Sequence, residues 1–232
     1  MSTKKLYILH GWTYTIKPWQ KVVDGLRAAG IDVIQLKVPG LTAPSDRVWT
    51  IDEYVTWLAS SIKDENFTIL GHSNGGRIAL NFSIKYPKRI KHLILLNSAG
   101  TEAREKQLST KRKVFLFFSK IFKPLKKNKL LRKVVYKLAG SHDYNDAPEN
   151  MKKTLANMLV SDKNLDLSKV NVKTTILWGK DDKITPINSG RKMHSIVKNS
   201  EMKEYEGWGH APYITHPDEL VKAIVDTLEE DF

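Results

Sequence analysis

Cysteine is absent from this 232-residue chain. That excludes a disulfide framework and any thiolate metal site, and it fits a protein of the reducing cytoplasm. No apolar run approaches the roughly 20 residues needed to cross a bilayer. The basic start, Met1 to Lys5, is followed only by Leu6-Tyr7-Ile8-Leu9 before His10-Gly11. That stretch is too short for the apolar core of a secretory signal and reads as a first core strand. There is no internal repeat, no low-complexity tract and no phosphate-binding glycine loop. Gly75-Gly76 lacks the spacing of a dinucleotide fingerprint. No pair of histidines has metal-ligand spacing. His92 opens a strand, His194 sits on a helix, and His142 and His216 fall in loops. Neither a metal nor a cofactor is therefore expected.

Acidic residues are also in short supply, 25 against 38 lysines and arginines, for a net charge of +13. The imbalance is local. Residues 101 to 140 carry thirteen basic side chains against Glu102 and Glu105, which is +11 of the +13. The basic character belongs to one segment and not to a surface spread over the chain. Lysine dominates it and no nucleic-acid motif accompanies it, so no nucleic-acid partner is expected. The same segment holds Val114-Phe115-Leu116-Phe117-Phe118, Ile121-Phe122 and, from Lys129 to Leu138, a second apolar stripe. Both stretches read as basic amphipathic helices separated near Pro124. Such faces either cover a site or make weak contact with anionic membrane surfaces.

Elsewhere apolar runs alternate with helical patterns. Strands are expected at Lys5–Leu9, Asp32–Leu36, Phe67–Leu70, His92–Leu96, Lys173–Trp178 and, more weakly, Met202–Tyr205. Helices are expected at Pro18–Ala29, from Thr50 through Ile62, and at Asn74–Lys85, Ala147–Leu159, Asn188–Ile196 and Pro217–Leu228. Thr50 and Glu53, three apart, form a capping box. Gly30 ends the first helix, and Pro217 suits a first turn. The alternation implies an α/β fold. Its expected form is a mostly parallel sheet of about six strands with helices on both faces and a helical lid inserted after the fourth strand. The expected division is a core of residues 1–100 and 169–232 and a basic lid insertion of residues 101–168.

Gly71-His72-Ser73-Asn74-Gly75 follows the third strand and opens a helix. This G-x-S-x-G pattern is that of a nucleophile elbow, a tight turn that exposes a serine hydroxyl above the sheet edge. The glycines are needed because side chains two before and two after the serine would meet the strand and the helix. The backbone N–H of Asn74 is aimed where an oxyanion would form.

With His10-Gly11-Trp12, Trp178-Gly179-Lys180-Asp181-Asp182-Lys183-Ile184-Thr185-Pro186 and Gly209-His210-Ala211-Pro212, the chain resembles the α/β-hydrolases. It is most similar to the small lidded serine hydrolases: esterases, monoacylglycerol-lipase-like enzymes and carbon–carbon bond hydrolases. The resemblance implies Ser73 as nucleophile, His210 as general base and then acid, and a carboxylate that orients the imidazole. Asp181 and Asp182 compete for that last role. The family's spacing from the glycine and to the proline selects Asp182, leaving Asp181 as a turn residue that caps the loop. The backbone N–H groups of Trp12 and Asn74 are the implied oxyanion donors. The Asn74 amide stands where the family often has methionine or glutamine, and is placed to touch substrate. His72 is expected to be structural, beneath the elbow.

A serine, and not the aspartate of dehalogenases and epoxide hydrolases, implies acyl transfer to water. The expected reaction is cleavage of carboxylic esters of short to medium acyl or aromatic acids, with a small-molecule ester as the partner. Lactone or carbon–carbon hydrolysis on the same three residues, or a non-catalytic ligand-binding protein of this fold, are the alternatives. Phe115, Phe118 and Phe122 are candidates for the substrate pocket.

Overall fold

The computed structural model describes residues 4–101 and 147–229. Six strands among them form one parallel sheet: β1 (Lys4–Leu9), β2 (Ile31–Gln35), β3 (Phe67–His72), β4 (Ile90–Leu96), β5 (Lys173–Gly179) and β6 (Ser200–Tyr205). The spatial order is β2-β1-β3-β4-β5-β6. The order reverses between β1 and β3, where the chain has gone out one way and returns the other. In open α/β sheets, ligands gather in the crevice beyond the strands' carboxyl ends at such a switch point.

The central strands β3, β4 and β5 and most of β1 are buried with both faces covered, as central parallel strands must be, whereas the edge strands β2 and β6 are only partly buried. Along β1 the side chains alternate. Leu6 and Ile8 join a cluster with Trp19, Val22, Leu26, Trp208, Leu220 and Ile224. Tyr7 and Leu9 join the opposite cluster with Tyr54, Leu58, Ile78, Phe82, Trp178 and Met193. One face is therefore covered by α1 (Gln20–Ala28) and the C-terminal helix, Pro217–Glu229. The other is covered by α2 (Ile51–Ser61), α3 (Asn74–Lys85) and the helix Ile187–Ile196.

Local chemistry sets several boundaries. The Thr50 side chain accepts from the Glu53 N–H while Glu53 accepts from the Thr50 N–H, closing the capping box of α2. Gly30 follows α1 at φ 80°, a left-handed conformation that side chains rarely adopt. β3 runs two residues past its apolar stretch, through Gly71 and His72, because β4 continues to pair there. Pairing with a neighbour, and not hydrophobicity, carries those two residues.

The expected insertion of residues 101–168 is only partly in view. Phe115, Phe118 and Phe122, and the two basic helices read from the sequence, lie outside the described residues. Its last part forms α4 (Glu149–Ser161), two residues later than the pattern placed it. This helix packs on the body. Thr154 Oγ1 accepts from the Trp49 N–H at 2.9 Å, and Met158 is buried in the core. Three further α-helices complete the described chain: α5 (Ile187–Ile196), a short α6 (Pro212–Thr215) that no periodic pattern announces, and α7 (Pro217–Glu229). Among the described residues, no helix is long and apolar enough to cross a membrane.

Candidate active site

Ser73 lies between the end of β3 and the start of α3, at φ 51° and ψ −117°. A non-glycine residue held at positive φ costs on the order of 1–3 kcal/mol, so its surroundings must impose the conformation. They do so from both sides. The Ser73 N–H donates to the Leu96 carbonyl at 3.2 Å, and the Ser73 carbonyl accepts from Ala99 at 2.9 Å. The turn is also too tight for side chains. A Cβ on Gly75 would stand 2.0 Å from the Leu9 carbonyl oxygen, and one on Gly71 2.6 Å from the Gly76 Cα. The elbow helix thus abuts the end of β1, and glycine is the residue that fits.

Two loops bring the remaining side chains to Ser73. His210 follows β6, and its Nε2 is 2.9 Å from Ser73 Oγ. Its Nδ1 is 2.7 Å from Oδ2 of Asp182, which follows β5. The tautomer follows from the partners. A carboxylate only accepts, so Nδ1 carries the proton and Nε2 presents its lone pair to the serine hydroxyl. Asp182 is itself saturated. Oδ1 accepts from the Ile184 and Thr185 N–H groups at 2.7 and 3.0 Å, and Oδ2 also accepts from Thr185 Oγ1 at 2.7 Å. Burial pushes its carboxyl upward, but the charge and hydrogen bond of His210, with Thr185 and Ile184, outweigh that and hold it below its ordinary value.

The two adjacent aspartates are thereby separated. Asp182 is buried and bonded to His210, whereas Asp181 is exposed. The loop-capping role expected of Asp181 also falls to Asp182. Its carboxylate bonds the backbone two and three residues on, so one side chain shapes the loop and meets the imidazole.

The segment after β1 is held by His10. Its Nδ1 is 2.8 Å from the Gly11 carbonyl, and its Nε2 is 2.7 Å from Thr42 Oγ1. A carbonyl only accepts, so Nδ1 donates and Nε2 accepts from the threonine hydroxyl, which in turn accepts from the Val38 N–H at 2.9 Å. Burial lowers the His10 pKa to about 4, against a smaller opposing effect of the Gly11 bond, so the ring stays neutral. The Gly11 carbonyl and the Trp12 N–H belong to one trans peptide and point in opposite directions. By fixing the carbonyl, His10 also fixes the direction of the Trp12 N–H. The Asn74 N–H, first in α3, has no partner within its own helix.

The Asn74 side chain does not face a substrate space. Its Nδ2 donates to Met158 Sδ at 3.2 Å and its Oδ1 accepts from Arg77. Arg77 in turn pairs with Asp162 at 2.6 and 2.8 Å, and both side chains are largely buried. The amide is thus held between α3 and the end of α4, which corrects the expectation that it touches substrate. No local pattern signals this arrangement, since Met158 lies 84 residues from Asn74 and Asp162 lies 85 from Arg77.

His72 is structural, as expected. Its Nε2 donates to the His210 carbonyl at 2.8 Å, and its ring packs against Trp19 and Tyr213. Burial, with the nearby charge of His210, lowers its pKa to about 3. His92 pairs with Thr175 inside the sheet, and His194 and His216 lie on the surface, each against a neighbouring hydroxyl.

A family model described as the alpha/beta hydrolase fold matches residues 5–171. The chain is 22% identical over 237 residues to pimeloyl-[acyl-carrier protein] methyl ester esterase of Nitrosomonas europaea, across 93% of this chain and 92% of that protein. It is 24% identical over 258 residues to 2-hydroxy-6-oxononadienedioate/2-hydroxy-6-oxononatrienedioate hydrolase 1 of Pseudomonas putida, across 95% and 86%. It also matches the biotin biosynthesis bifunctional protein BioHC of Teredinibacter turnerae at 26% identity, where it spans only 44% of that protein's length. The solved structure of MenH from S. aureus superposes with a TM-score of 0.78 at 21% identity, over 100% of this chain and 95% of that one. The parallel sheet with its reversal beside an elbow serine, and a family match covering most of the sequence, lead to one assignment: this chain belongs to the α/β-hydrolase fold family.

Proposed function

We propose that this protein is a serine hydrolase that cleaves carboxylic esters of short to medium acyl or aromatic acids through a Ser73 acyl-enzyme. One observation carries the reading: the continuous contact from Ser73 Oγ through both nitrogens of His210 to Asp182. The lone pair on Nε2 takes the serine proton as Oγ attacks the ester carbonyl carbon. The oxyanion is received by the N–H groups of Trp12 and Asn74, and each positioned donor contributes about 2.7–4 kcal/mol to the transition state. The His210 imidazolium, held by Asp182, returns its proton to the departing alkoxide, and the alcohol leaves. Water activated by the same Nε2 then releases the acid and restores Ser73.

The named relatives divide between ester hydrolysis and carbon–carbon hydrolysis. The ester reading is favoured by the state of Arg77. A dienol carboxylate needs a cation to hold it, and among the described residues this arginine, four residues past Ser73, is already paired with Asp162 and Asn74. The basic segment of residues 101–140 supports a further part of the reading, contact with anionic lipid surfaces that present acyl substrates.

Turnover of a panel of p-nitrophenyl esters, lactones and vinylogous diketones tests the proposal. Ser73→Ala, with its fold intact by circular dichroism, loses on the order of 10⁴–10⁶-fold in kcat. Equal turnover by this variant refutes the mechanism. Faster turnover of diketones than of esters refutes the substrate class.

A further inference from the structure

The residue that follows β4 is one that none of the catalytic assignments uses. Asn97 is fully buried and stands at φ 43°. Asparagine is among the few residues that tolerate this left-handed conformation, but a buried amide is costly unless its donors and acceptor are satisfied. Its Nδ2 donates to the carbonyls of Gly209 at 2.8 Å and His210 at 3.2 Å. Its Oδ1 accepts from the Gly179 N–H at 2.8 Å, at the start of the loop that carries Asp182. Its own carbonyl lies 3.1 Å from Thr185 Oγ1, the hydroxyl that stands 2.7 Å from Asp182 Oδ2. Leu96, just before it, and Ala99, two residues after it, bond the backbone of Ser73.

One buried side chain therefore ties together segments 82 to 113 residues apart. None of its bonds serves the packing of the apolar core. Each side-chain bond ends on a loop that carries a member of the constellation. The loop before His210 is otherwise anchored by Trp208, which is buried in the core, donates through Nε1 to Glu219 and accepts at its carbonyl from Asp181, and by the His210 carbonyl, which accepts from His72. We infer that Asn97 is a positioning residue, which sets the distance of the His210 ring from Ser73 and Asp182 by holding the backbone of both partner loops. This inference rests on the proposed serine mechanism.

Asn97→Gly separates the side chain from the backbone, because glycine accepts the positive φ at no steric cost. Asn97→Asp has the opposite design. It keeps an acceptor for Gly179 but places oxygen against the Gly209 and His210 carbonyls. The readouts are kcat and KM on a p-nitrophenyl ester, and the second-order rate of labelling by a fluorophosphonate, which reports nucleophile activation alone. A third is the low-field proton resonance of an imidazole N–H bound to carboxylate. All are taken well below each variant's melting temperature. Ile224→Ala, in the α7 core away from the site, supplies a variant of comparable stability loss.

Asn97→Gly is expected to lose on the order of a hundredfold in kcat and in labelling rate, since a misplacement of about 1 Å carries that cost. KM stays nearly constant, the low-field resonance broadens or vanishes, and Asn97→Asp loses more. Ile224→Ala keeps wild-type labelling. If Asn97→Gly melts earlier but labels and turns over like the wild type, Asn97 is only structural and the inference is overturned while the serine mechanism stands. If the wild type itself is not labelled at Ser73, the serine mechanism fails and the inference falls with it.

Discussion

Acidification from pH 7 to pH 5 is expected to destabilise this fold through His10 and His72. In the unfolded chain each imidazole takes up its proton near pH 6.5. In the folded chain burial lowers His10 to about 4 and His72 to about 3. Across the window between 6.5 and those values the unfolded state binds more protons, so stability falls as pH falls. Above pH 6.5 both rings are neutral in both states and contribute no slope. At pH 5 each ring withdraws about 2 kcal/mol, or roughly 4 kcal/mol together, against a typical total of about 5–15 kcal/mol.

The geometry explains why neither ring escapes by taking a proton in place. On His10 the free lone pair already accepts from Thr42, and on His72 the added charge would face the ring of His210, 4.9 Å away. Urea unfolding at pH 7 and pH 5 measures the drop. His10→Gln and His72→Gln, each lacking one titrating ring, are expected to reduce it by about 2 kcal/mol apiece. A wild-type stability that is flat between pH 7 and pH 5 refutes the reasoning. So does a drop that both variants retain in full.

Other outcomes follow from the same contacts. Asp182→Asn removes the acceptor that fixes the His210 tautomer and should lower kcat about 10⁴-fold with little change in KM, read from ester hydrolysis. Asp162→Leu leaves the buried Arg77 charge unpaired and should cost about 3–5 kcal/mol in urea unfolding, most of it recovered by the double variant Arg77→Met/Asp162→Leu. Thr50→Ala opens the capping box at the N-terminal end of α2 and should cost about 1 kcal/mol while leaving ester turnover unchanged.

Local chemistry explains what could be read before any coordinates. The order of strands and helices follows from apolar period, and α2 starts where Thr50 and Glu53 say it must. The elbow was legible because Gly71, Ser73 and Gly75 sit within five residues, and each is demanded by the turn itself. Asp182 was distinguished from Asp181 by spacing within its own loop. The short α6 was missed because its four residues follow Ala211 with no periodic signal to announce them. Thr185, Asn97 and the Arg77–Asp162 pair were not picked out, since each owes its importance to a contact across the fold.

The sequence by itself determined which segments become strands, which loops follow them and which loop carries a strained serine, because those features depend on neighbours a few residues apart. Only the tertiary structure decided that the loops after β1, β3, β5 and β6 converge, that Asn97 ties the loops after β5 and β6 together, and that the buried Arg77 links the start of α3 to the end of α4. Parallel pairing brings the carboxyl ends of distant strands side by side, and no local pattern records which side chains then fall within hydrogen-bonding distance.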